Sequence, residues 1–102
     1  MNKKIKFWSN QFIVNGVVRR FRPKKILEIG VSQGCSSSII LNSIQDLDDS
    51  HLYSIDLSNR NVIGRCVKSL FPNLLSKWTL YKGNIASKFI EKIGKDIDML
   101  LF

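Results

Sequence analysis

The 102-residue chain is poor in several things, and each scarcity narrows what it can be. Cysteine occurs twice, at Cys35 and Cys66, with no CxxC spacing. There is one histidine, His51. A structural zinc site needs four such ligands, so neither zinc nor a disulfide framework is expected. Both cysteines read as small apolar packing residues. No apolar run approaches the roughly 20 residues that span a bilayer. Lys3, Lys4 and Lys6 lack the apolar stretch of a signal peptide behind them, so a cytoplasmic protein is expected. Proline occurs twice and glycine six times, leaving no low-complexity linker.

Acidic residues are absent from residues 1–25, which hold eight of the 16 basic ones. The remainder balances eight basic against eight acidic residues, so the net charge of +8 belongs to the N-terminal arm. Such an arm can contact nucleic acid, an anionic membrane or an acidic neighbour. It also fits a solvated helix face and approach loop. No nucleic-acid-binding motif contains its aromatics, Phe7, Trp8, Phe12 and Phe21.

Apolar residues make up 44% of the chain, and their spacing alternates between two patterns. Ile13, Val14, Val17, Val18 and Phe21 mark an amphipathic helix over 10–21, weakened at Gly16 and ended by Pro23. Lys25–Ile29 is a short strand with apolar residues on both faces, as in a buried parallel sheet. After Gly34 a helix carries Ile39, Ile40, Ile44 and Leu47, with Ser36, Ser37 and Ser38 offering cap hydroxyls. His51–Ile55 is a second strand, ending at Asp56. Ser58 or Asn59 can cap a third helix bearing Val62, Ile63, Cys66, Val67 and Leu70, stopped by Pro72. Lys77–Lys82 is a third strand. Ile85, Phe89, Ile90 and Ile93 form a helical stripe ending at Gly94, and Asp98–Phe102 opens a fourth strand. Alternating strands and helices predict an α/β fold, a Rossmann-like parallel sheet with flanking helices. The last apolar strand has no helix after it to cover it, so the chain is expected to be truncated there, with residues 1–24 as arm and 25–102 as the first half of the domain.

The segment with chemical content is Glu28-Ile29-Gly30-Val31-Ser32-Gln33-Gly34-Cys35-Ser36, of form E-x-G-x-x-x-G, between strand and helix. Glycines let a ligand approach the backbone, and the helix start offers N–H donors. Two glycines four apart differ from the G-x-G-x-x-G that cradles a pyrophosphate. Asp56 closes the next strand, 26 residues past Gly30, where an acid can accept both ribose hydroxyls. It also suits a helix N-cap. Gly83-Asn84 ends the third strand, where an amide can meet an adenine edge or cap a helix.

These residues make the chain resemble the N-terminal half of class I S-adenosylmethionine-dependent methyltransferases, particularly the O-methyltransferase-like group with L-E-I-G-x-x-x-G-x-S openings. The resemblance implies S-adenosylmethionine as cofactor. It places Glu28, Gly30, Gly34 and Ser36 in the first cofactor motif, Asp56 at the ribose and Asn84 at the adenine. Relatives often carry Gly-Asp where this chain has Gly83-Asn84. It also implies that the catalytic groups and the pocket for a small-molecule or sugar hydroxyl lie after the fourth strand, so no catalytic residue and no metal ligand is assigned. His51, at a strand start, is not a candidate. Two other readings stay open: a nucleotide-dependent oxidoreductase fragment, and a non-catalytic interaction module with a basic arm.

Overall fold

The computed structural model describes residues 13, 15–31, 34–83, 88–93 and 96–101. Four strands, β1 (Lys25–Ile29), β2 (His51–Asp56), β3 (Trp78–Lys82) and β4 (Met99–Leu101), form one parallel sheet in the order β3-β2-β1-β4. Parallel neighbours need a crossover, and helices supply it. The first helix, α1, covers residues 15–21. Then follow α2 (Cys35–Ser43), α3 (Arg65–Leu70) and α4 (Phe89–Ile93). The α/β, Rossmann-like sheet with flanking helices expected from the sequence is present.

Period-2 alternation sorts the strand residues onto two faces. Ile26 and Leu52 pack with Val18 of α1, Ile40 and Leu41 of α2, and Val67 of α3. Leu27 and Ile55 face the other way, against Ile93 of α4 with Tyr53 and Tyr81. The first face is covered; the second is covered only in part, since Ile29 and Leu100 on it are 42% and 49% exposed. Burying aliphatic side chains of this size is worth about 1.5–3 kcal/mol apiece.

Three expectations are corrected. The α1 stripe buries only Val18 among its described members, while Ile13 and Phe21 are 62% and 72% exposed and Val17 is partly exposed. Polar contacts with α2 add to that single apolar anchor: Arg19 donates to the Ser43 carbonyl, and Ser43 Oγ donates to Asn15 Oδ1. Second, α3 starts at Arg65 rather than after Ser58 or Asn59, behind the left-handed Gly64 (φ 80°). Residues 58–60 are irregular and 61–64 form a turn; the Asp56 and Ser58 side chains accept the N–H groups of Ser58 and Arg60, holding the chain out of a helix there. Leu70, counted on its apolar side, is 65% exposed. Third, Pro72 does more than stop a helix: it opens a 3-10 helix, η1 (Pro72–Lys77), a position proline favours. Cys66 is half-buried and forms no disulfide among the described residues. The expected residues 10–12, Val14, Ile85, Gly94 and Phe102 lie outside the described ones.

Candidate functional site

In an open parallel sheet, ligands bind beyond the carboxyl ends of the strands, where the strand order reverses. Here β2 lies on one side of β1 and β4 on the other, so the reversal falls at the end of β1. Gly30 stands there. Its φ of 90° is left-handed, and a Cβ added to it would meet nothing within 4 Å. The glycine is needed for its backbone conformation and leaves the peptide open to solvent.

Gly34 plays a different part. It is also left-handed (φ 91°), but a Cβ there would come 3.1 Å from Val67 Cγ2 and 3.2 Å from Gly64 Cα. It is the N-cap of α2, and no side chain caps that helix. The expected serine caps are therefore not made. Ser38 Oγ donates back to the Gly34 carbonyl, Ser37 turns into the core, and Ser36 is half-buried on the first turn. The N–H groups of a first helical turn lack intrahelical acceptors and favour an anion.

Asp56 is brought to this turn. Its Oδ2 accepts the Val31 N–H at 2.9 Å, and Oδ1 accepts the Ser58 N–H at 2.9 Å. The backbone repeats the connection: Gly30 N–H donates to the Ile55 carbonyl (2.8 Å), and Gly83 N–H donates to the Asp56 carbonyl (2.9 Å). The end of β2 thus holds the exits of both β1 and β3. Gly83 is left-handed (φ 101°), and a Cβ there would lie 3.7 Å from the Asn59 side chain. Sequence reasoning missed Asn59 at this edge; its only signal was position, three residues past Asp56. Asn84 lies outside the described residues.

Glu28 is elsewhere. It is 3% exposed, and its Oε1 accepts hydrogen bonds from Ser37 Oγ and Ser54 Oγ (2.9 Å for Ser54). Trp78 Nε1 donates to Ser54 Oγ at 2.9 Å. Burial pushes the Glu28 carboxyl above the usual carboxylate range, the two serines oppose that, and the Asp56 charge adds to it. So the first-motif acid does not line the open edge; it sits under the turn. Sequence reasoning missed Ser54 and Trp78, whose partnership depends on strand register, with Glu28 beside Ser54.

Among the described residues no group of three His, Cys, Asp or Glu could hold a metal. His51 is at the opposite end of the sheet, its Nε2 2.7 Å from Thr79 Oγ1, and burial lowers its pKa with help from Lys77. Nor is any described helix long and apolar enough to cross a membrane.

No protein-family model and no curated protein matches this sequence. Solved structures do. A Staphylococcus aureus protein assigned as a caffeoyl-CoA O-methyltransferase matches at 25% identity with a TM-score of 0.68, over 89% of this chain and 42% of its own. A Klebsiella pneumoniae protein assigned as an O-methyltransferase matches at 20% identity and a TM-score of 0.71, over 90% and 41%. The O-methyltransferase TomG of Streptomyces achromogenes, solved with S-adenosylmethionine, matches at 17% identity and a TM-score of 0.70, over 90% and 42%. This chain therefore spans about two fifths of the length of the methyltransferases whose Rossmann-like fold it shares.

Proposed function

We propose that this chain is the S-adenosylmethionine-binding part of a methyltransferase that acts, when whole, on a small-molecule or sugar hydroxyl. The observation that carries this is the Asp56 carboxylate hydrogen-bonded to Val31, which puts an acid and an open glycine turn at one switch point of the sheet. The residues fit the cofactor. The uncapped first turn of α2 with Gly30, Gly34 and Ser36 suits the anionic amino-acid end. Asp56 suits the ribose, because a carboxylate at this turn is an acceptor for hydroxyl donors such as the two ribose hydroxyls. Asn84, following Gly83, is assigned to the adenine. Residues 25–102 form this half-domain, and residues 1–24 its basic arm; the compartment proposed is the cytoplasm.

When bound, S-adenosylmethionine supplies a sulfonium methyl group open to in-line displacement. The work of this chain is to bind and orient it, because such a reaction depends chiefly on holding methyl and acceptor at attack distance. The acceptor pocket and any base for a hydroxyl proton are assigned to the remaining part of the protein.

Calorimetric titration tests this. S-adenosylmethionine is expected to bind and NADH not to; the reverse result favours an oxidoreductase and ends the proposal. Asp56→Ala is expected to abolish detectable cofactor binding, and unchanged affinity would remove Asp56 from the site.

A further inference from the structure

The cofactor assignment leaves a buried polar cluster unused. Glu28 comes from β1, Ser37 from α2, Ser54 from β2 and Trp78 from β3, joined by three hydrogen bonds. Glu28, Ser37 and Ser54 are 3%, 0% and 0% exposed. Burying a carboxyl is unfavourable unless its partners compensate, and apolar residues of similar volume commonly serve stability as well or better. What the cluster does supply is direction. Ser37 lies three residues past the N-cap Gly34, so its bond to Glu28 fixes how far α2 is rotated about its own axis. That rotation decides where the first-turn N–H groups point.

Trp78 reaches the same turn by a second route. A Cβ on Gly64 would stand 2.6 Å from Trp78 Cη2, and one on Gly34 would stand 3.2 Å from Gly64 Cα. The indole therefore lies close over Gly64, and Gly64 close over Gly34, with no room for a side chain at either position. Through its N–H the same indole also orients Ser54 against Glu28. The two routes meet on the N-terminus of α2.

We propose that Trp78, Ser54, Glu28 and Ser37 are positioning residues that aim the first-turn amides of α2 at the amino-acid end of the cofactor. The inference rests on the S-adenosylmethionine reading and deepens it: the cluster governs one end of the ligand and leaves the adenosyl end to Asp56.

Two ligands separate the ends. S-adenosylhomocysteine carries the amino-acid group; 5′-methylthioadenosine shares the adenosyl part and lacks it. Wild type, Ser37→Ala, Ser37→Thr and Trp78→Phe are titrated with both, with melting curves recorded for each. Ser37→Ala and Trp78→Phe are expected to lose about tenfold in affinity for S-adenosylhomocysteine, the scale of one hydrogen bond to a charged group, and less than about twofold for 5′-methylthioadenosine. Ser37→Thr, which keeps the hydroxyl, is expected to restore wild-type binding. Equal losses for both ligands would mean that the cluster merely supports the fold. Unchanged affinity in both folded variants would also overturn the proposal. Should wild type bind neither ligand, the cofactor reading itself fails, and the positioning role falls with it.

Discussion

The two ends of the sheet each place an aspartate on backbone N–H groups, and they do so differently. At the amino ends of the strands, Asp98 gathers the N–H groups of Lys24 and Lys25 on a single oxygen, at 2.9 and 3.0 Å. That clips the approach to β1 onto the approach to β4. Around it Ser50 donates to the Pro23 carbonyl, and His51 meets Thr79. At the carboxyl ends, Asp56 spreads its two oxygens over two loops, among three left-handed glycines at 30, 34 and 83. One end uses its polar groups to close the structure. The other arranges them around open backbone, the usual division between stability and binding in α/β folds.

The strongest way to break this contrast is at the carboxyl end. Gly34→Val is expected to destabilise the chain by roughly 3 kcal/mol or more, since left-handed strain and overpacking against Gly64 and Val67 add. Gly30→Ala, with the same φ but open space, is expected to cost only about 1–2 kcal/mol while still weakening the cofactor. Urea denaturation compared with titration would show it; equal stability losses would mean the two glycines do one job.

A subtler break is pH. Glu28 has a raised pKa in the fold, so the stability it contributes is present below its unfolded value of 4.5 and is lost as pH rises through the folded value. Glu28→Gln should remove that decline from melting curves taken across the acid range. Asp98 has the opposite sign. Its carboxyl is held down by the N–H groups of Lys25 first and then Lys24, so its contribution is present above 3.8 and disappears as pH falls through the lower folded value. Asp98→Asn should give the smallest effect: a slight loss of melting temperature at neutral pH that fades in acid, with cofactor affinity unchanged. A change in affinity would erase the division between the ends.

Much of this was legible beforehand. All four strands begin within one residue of expectation, because β-branched and apolar runs between turn residues leave little choice of period. The start of α3 was not, since Ser58 and Asn59 cap turns as readily as helices, and the telling residue was Gly64, which has to be left-handed. The proximity of Asp56 to the Gly30 turn followed from strand order. What Glu28 touches did not, because serines distant in sequence become its partners only through β1–β2 register and the packing of α2.

The tip of β2 carries a final consequence. Ile55 and Asp56 between them hold the first peptides of the exits from both neighbouring strands, so both exits hang from one keystone. A ligand bound against one exit, as in the proposed function, would be felt at the other through two consecutive residues. The amides of Gly30 and Gly83 should therefore exchange with deuterium in step, slowing together when the proposed cofactor is bound.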